Sequence, residues 1–312
     1  MKKLFISLIA ILWSVSLLSQ NSANLKMNLE KNKVYRLRSV TEQTILQTVN
    51  GNQQTIESKT EYVVSIKMVD ATADLMIAEV HFDTLITNTN AMGKVVLITS
   101  AKEGNLKSSE MSDVMSCIMN RLSKNALYVK MDYSGKVNEI VNAKMLSEVV
   151  LQDTSSITGQ MASALKKQIV NQVSDKTLMT MVEMFTHYLP GKQVTAGDGW
   201  DVDEQMNSGG MMLDIKTTYH LDGISGNSAN LTASSEIKAS ANADPMESGG
   251  AKITYDDIKG LTKSNMVIDT STGLLITQKA KSHIAGNLGV TVPGMNMVIP
   301  MDINGITTVD AL

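Results

Sequence analysis

The feature that most limits what this chain can fold into is its periodicity. Long runs alternate apolar and polar side chains, and between them lies a stretch whose apolar residues recur at three-and-four spacing. Alternation puts every second side chain on one face of a strand, whereas three-and-four spacing lines one side of a helix. From Lys33 to Asn88 alternation dominates, in three runs rich in β-branched residues. The first starts at Val34-Tyr35-Arg36-Leu37 and extends to Val49. The second, Thr55 to Val69, has Glu57, Lys59 and Glu61 on a solvated face, and the third spans Leu75 to Thr87. Asn50-Gly51-Asn52 accepts the positive backbone angles of a hairpin turn, and Asp70-Ala71-Thr72 makes the next reversal, so the runs form an antiparallel meander. A short strand, Lys94 to Ser100, follows.

The period then changes. Ser109 can cap a helix on which Met111, Val114, Met115, Ile118 and Leu122 share one side, with Cys117 off that stripe. A hairpin follows, Ala126 to Met131 and Lys136 to Val141, around Asp132-Tyr133-Ser134-Gly135. A longer helical region carries one stripe of Met161, Leu165, Ile169 and Val173 and another of Leu178, Met181, Val182, Phe185 and Leu189. Asp175 begins its second helix, and Leu189-Pro190-Gly191 stops it. From Trp200 the alternation returns in runs from Met212 to Leu221, Ala229 to Ala239, Ile253 to Lys259, Thr262 to Ile268, Leu274 to Ala285 and Val290 to Ile303. Ala239 to Gly250 reads as a surface loop.

These patterns predict an α+β fold in which curved antiparallel sheets, half-barrel-like, wrap a central helical segment. The expected organisation is one bilobed domain over 24–312: a β meander with one helix (24–142), a helical pair (143–190) and a second antiparallel β region (191–312). Val64 to Glu79 resembles Tyr219 to Glu236, and the Asp-to-Gly turn ending at Gly135 resembles the one from Asp269 to Gly273. Internal duplication and the local chemistry of hairpin turns would each leave such likeness.

Lys2 and Lys3 ahead of an apolar stretch from Leu4 to Leu18 have the layout of a secretory signal over 1–20, with cleavage expected between Ser19 and Asn24. The stretch is shorter than the roughly 20 residues a membrane-spanning helix needs. No cysteine ends it, so a lipoprotein's modified thiol has no residue to form on. The mature chain is therefore expected in the periplasm or at the cell surface, without a membrane span.

Losing Lys2 and Lys3 lowers Lys+Arg from 28 to 26 against 31 acids, so the net charge moves from -3 to -5. Such acidity argues against a nucleic-acid partner, whose backbone is held by clustered cations. Cys117, the sole cysteine, excludes an internal disulfide and a thiolate cluster and reads as a semi-buried small residue. His81, His187, His220 and His283 lack metal-ligand spacing. The acids of Asp198-Gly199-Trp200-Asp201-Val202-Asp203-Glu204 lack the oxygen pattern of a calcium loop and fit a turn before an edge strand, with Asp198 bonding its own backbone and Trp200 filling the seam between helical and β parts. No nucleophile elbow, dinucleotide glycine run or Walker lysine is present. No catalytic residue, metal ligand or cofactor is expected.

The 22 methionines allow three readings: core filling, an adaptable apolar groove for a lipid or peptide, or copper(I) capture around Met179-Thr180-Met181 and Met295 to Met301. In the groove reading, Met111, Met115, Ile118, Met161, Leu165, Met181, Phe185 and Trp200 face the ligand.

Leu189-Pro190-Gly191-Lys192-Gln193-Val194 leading to Gly197-Asp198-Gly199-Trp200, with an early Tyr35-x-Leu37 strand and the late Asp269 to Gly273 turn, resembles a family of uncharacterised secreted proteins from Bacteroidetes-type bacteria. That likeness extends across the mature chain and implies no activity. In outline the pattern is also similar to periplasmic lipid carriers of the LolA and LolB kind, whose half-barrel wraps helices and holds acyl chains. The expected function is a non-enzymatic envelope protein binding an apolar ligand or an envelope protein partner between sheet and helices. A structural interaction module and a hydrolase without a familiar motif are the alternatives.

Overall fold

The computed structural model describes residues 22–49, 51–158, 162–208, 211–241, 245–248 and 251–312. The predicted leader, 1–20, and Met161 lie outside the described residues. Alternation gives what it predicts, an α+β fold dominated by one curved, open antiparallel sheet. Its first strands are long: β2 (Val34–Val49), β3 (Asn52–Ala71) and β4 (Leu75–Ala91), with β5 (Lys94–Thr99) beside the end of β4. Helix α1 (Met111–Ser123) interrupts before β6 (Leu127–Asp132) and β7 (Val137–Ile140). Helices α2 (Ala143–Val150), α3 (Ala162–Gln172) and α4 (Asp175–Thr186) follow.

The expected helical pair is thus three helices, because Asp153 takes a left-handed φ of 60° after α2 and breaks the run. Asp175 does begin α4, where Ser174 caps it by accepting from the Thr177 amide. Helix α1 begins one residue after Glu110, with no side-chain cap from Ser109. Cys117 is buried rather than off the packed side: the loop at Gly104 lies so close that an added Cβ would sit 2.5 Å from the Cys117 amide nitrogen.

The second β region contains β8 (Lys192–Thr195), β9 (Gly199–Ser208), β10 (Met211–Ser225), β11 (Ser228–Ala239), β12 (Met246–Ser248), β13 (Ala251–Asp269), β14 (Leu275–Val292) and β15 (Met295–Ala311). Two sequence expectations change here. The runs from Ile253 and from Thr262 are one strand, β13, with a bulge between Asp256 and Lys259. The run from Val290 to Ile303 is instead the two arms of a hairpin, turned at Pro293-Gly294, where Gly294 has φ +83°. β12 lies inside the stretch read as a loop because it pairs with the start of β13.

The sheet runs β7-β6-β4-β3-β2-β15-β14-β13-β11-β10-β9, and β1 (Ser22–Leu25) pairs separately with β8. The neighbour order β2-β3-β4-β6-β7 is repeated as β9-β10-β11-β13-β14, and β15 joins the two sets through β2. In both sets the last hairpin turns on an aspartate. Asp132 Oδ1 accepts from the Ser134 amide at 2.8 Å and Asp269 Oδ1 from the Ser271 amide at 2.9 Å. Both turns dock on the same two partners. The Met27 amide donates to Tyr133 O and the Asn28 amide to Thr272 O. The Thr186 hydroxyl, at the end of α4, donates to Gly135 O at 2.6 Å, while the Tyr188 hydroxyl just after it donates to Gly273 O at 3.0 Å.

The helices cover one end of one sheet face. Ile66, Phe82 and Leu85 of the strands meet Ile118, Leu122, Ile169, Val182 and Phe185 of the helices in a continuous core. Burial of these side chains, at about 25 cal/mol per Å² of apolar surface, is the main stabilising term. The opposite face carries cross-strand ion pairs such as Arg38 with Glu61 at 2.8 Å, which at such exposure contribute under about 1 kcal/mol each.

Candidate functional site

The structure distributes the predicted ligand-facing residues through the main core. Met115, Ile118, Leu165 and Phe185 are buried there, and Met181 and Trp200 pack against it half-buried. Met111 is exposed. Trp200 does fill the helix–sheet seam, donating from Nε1 to Tyr188 O at 3.1 Å and stacking on Tyr219 at 5.6 Å. Sequence periodicity identified packed faces on α1, α3 and α4 but gave no stripe for α2, and what it marked on α1 and α4 is core in contact with strand side chains. The stripe of a filled seam and that of a ligand groove look alike in sequence.

A different apolar surface lies on the same sheet face, beyond the helices. On β15, Val309 belongs to the main core, Thr307 and Gly305 follow, and Ile303 and Met301 then belong to a second cluster. β2 repeats this order, from Leu37 through Ser39, Thr41 and Gln43 to Ile45. Thr41 and Thr307 bond side chain to side chain at 2.9 Å, and Thr217 and Ser235 do the same at 2.9 Å on β10 and β11. A belt of hydroxyls thus crosses the sheet and separates two apolar compartments.

Among the described residues the second compartment is built by strands alone: Met211, Leu213, Ile237, Ile258, Ile284, Met301 and Ile303 are buried, and no described helix residue takes part. Leu213 is only 1% exposed there. Two glycines let β13 and β14 crowd together beside the bulge. A Cβ on Gly286 would meet Ile258 Cα at 2.7 Å, and one on Gly260 would meet Ile284 Cγ1 at 2.6 Å. Ile45 and Ile215, next to the hydroxyl belt, are half-buried, and further along β13 and β14 burial relaxes again at Tyr255 and Leu288. The same face continues through the paired residues Leu288 with Ile299 and Val290 with Met297, all half-buried. A surface grading from packed to half-open along one face can accept an apolar chain without displacing the core.

The other face of the sheet centre holds a polar trough of about 660 Å³, lined by Glu42, Thr44, Glu57, Lys59, Lys281 and Asn304 among others. The Glu42 and Lys59 side chains pair across it at 2.7 Å.

The four histidines each meet a separate carboxylate: His81 with Glu79, His187 with Glu204, His220 with Asp222 and His283 with Asp302. Beside the His187 pair, Glu183 of α4 accepts from the Val137 amide at 2.9 Å. Burial raises its carboxyl above the usual range, with Glu204 adding to the effect while the Val137 amide and His187 oppose it. The folded state therefore holds this proton more tightly than the unfolded chain, and the stability Glu183 contributes is lost as pH rises through the raised value. Glu183→Gln keeps the acceptor and removes the charge. It is expected to raise the urea midpoint at neutral pH and leave it nearly unchanged below the carboxylate range; equal shifts at both would contradict this.

The sequence profile of a family of unknown function, DUF6263, matches residues 73–275. The chain belongs to that family. The matched span covers β4 to β13 with all four helices and leaves β2, β3 and β15 outside. No curated protein matches the sequence. Among solved structures the chain is similar to one described as lipid-protein interactions in lipovitellin, with a TM-score of 0.43 at 10% identity over 91% of this chain and 25% of that one. The chain thus spans about a quarter of the lipovitellin chain it matches. It is also similar to the COG4313 outer membrane channel from Pseudomonas putida F1, with a TM-score of 0.26 at 9% identity over 92% and 97% of the two chains. A DUF1329 family protein from Desulfovibrio piger has a TM-score of 0.14 at 8% identity over 88% and 83%. No described helix is long and apolar enough to cross a membrane.

Proposed function

We propose that this is a non-enzymatic, exported envelope protein that holds an apolar, lipid-like ligand on the strand-built compartment rather than between sheet and helices. The observation carrying this reading is the graded face on which Leu288, Val290, Ile299 and Met297 continue a buried cluster outward as half-buried side chains. An acyl chain of twelve to sixteen carbons laid there contributes about 10–13 kcal/mol at ~0.8 kcal/mol per methylene. Association costs at least about 4 kcal/mol in lost freedom. The difference corresponds to binding in the micromolar region.

The test is uptake of a fluorescent fatty acid by the purified mature protein, with mass spectrometry of lipid extracted from gently isolated material. Leu288→Gln, on the half-open part, is expected to weaken uptake about tenfold, the effect of one apolar side chain made polar, with unchanged circular dichroism. Wild-type protein that takes up no fatty acid, or a folded variant that binds equally well, would sink the proposal. A stable partner chain in place of lipid would favour the interaction module.

A further inference from the structure

The hairpin formed by β14 and β15 carries no charged residue from Ile284 to Met301. At its base the imidazole of His283 meets Asp302 at 2.7 Å, so charge returns where the hairpin rejoins the sheet. The outer part of the hairpin is apolar on one face and uncharged on the other. Leu288, Val290, Met297 and Ile299 lie on the side of the second cluster, as does Met295, 51% exposed at the turn, while the opposite side sets Val298, 66% exposed, among Asn287, Thr291 and Asn296. β2 pairs with β15 only from Met301 onward, so Met295 to Pro300 form a free edge, while β13 flanks β14 as far as the pairing of Lys252 with Thr291.

We infer that this hairpin tip docks the protein on a lipid surface. Two observations select that occupant. The absence of charge over both arms removes the ion pairing that orients most protein contacts. The apolar compartment also opens along the hairpin's inner side, so an immersed tip connects it directly with acyl chains. The free edge of β15 would leave backbone groups unsatisfied in the hydrocarbon centre, which limits the tip to dipping about 5–10 Å into the headgroup boundary. Lys252 stands level with Thr291 on the neighbouring strand, and its long stem can carry the ammonium back to water. The docking explains how the proposed ligand enters and rests on that reading for its purpose, but not for its mechanism.

The experiment is flotation of the full mature chain with vesicles of phosphatidylcholine alone and of phosphatidylethanolamine with phosphatidylglycerol. The protein is expected to float with both, equally at low and high salt, because no charge drives the contact. The double variant Asn296→Asp with Val298→Asp, on the face away from the second cluster, is expected to float at least about tenfold less, while retaining its circular dichroism and its fatty-acid uptake in solution. Wild-type protein remaining at the bottom, flotation lost at high salt, or undiminished flotation of the double variant would overturn the inference. So would a concentration-dependent dimer that the double variant abolishes in place of a change in flotation. Flotation without fatty-acid uptake would remove the ligand reading and leave the docking standing.

Discussion

Gly135→Ala is expected to lower stability by about 3–5 kcal/mol, the largest effect of any single methyl group added to this fold. Gly135 sits at φ +88° in the turn between β6 and β7, and a Cβ there would overlap the backbone carbonyl of Thr186. The left-handed conformation alone costs an alanine about 1–2 kcal/mol. The rest comes from moving the end of α4 away from the turn, which breaks the bond from the Thr186 hydroxyl to Gly135 O. Thr186 is fully buried, so its hydroxyl cannot turn to water instead. Gly51→Ala and Gly93→Ala are the controls: their φ values are +78° and +79°, but nothing lies within 4 Å of an added Cβ. They should cost only the conformational part. Urea titration would show the Gly135→Ala midpoint falling well below both controls at similar slope. Three equal shifts would mean that the turn does not bear on the helix.

Phe185→Ala is expected to cost about 3–5 kcal/mol, because a side chain at 1% exposure leaves a void its neighbours fill only in part. The same variant separates the two places a ligand could bind. With the site on the strand-built face, fatty-acid uptake by Phe185→Ala is unchanged at temperatures where the variant remains folded. Loss of uptake by the folded variant would return the site to the seam beneath α1 and α4. Met111→Ala, at an exposed position, should alter neither property.

The sequence revealed elements better than their assembly. Alternation located the long strands because each buries one face, and the stripe Met111, Val114, Met115, Ile118, Leu122 located α1 because one side meets the sheet. The Asp132 and Asp269 turns were readable because aspartate and glycine act there through local bonds. What the pattern could not supply was register. Ile45 meets Ile303 only through the β2–β15 pairing, and Ile258 meets Gly286 only through the bulge in β13, so the second compartment has no local signature. The apolar run around Val290 hid a turn, since Pro293-Gly294 interrupts residues that would otherwise all suit one strand. The methionines on the helices were legible as apolar, but their partners were not. Whether such a surface faces a hollow or a strand depends on side chains far away in the chain.

The pairing of β2 with β15 has a consequence for how this molecule comes into being. Thr41 and Thr307, bonded across that seam, are 266 residues apart in the chain. Hairpins on either side can form early from local contacts, but the middle of the sheet closes only after the final strand has been made. Until then two long strand borders stand unsatisfied, a state open to edge-to-edge aggregation. A polypeptide whose central stitch comes last is most exposed to wrong partners in the interval before its closing strand arrives.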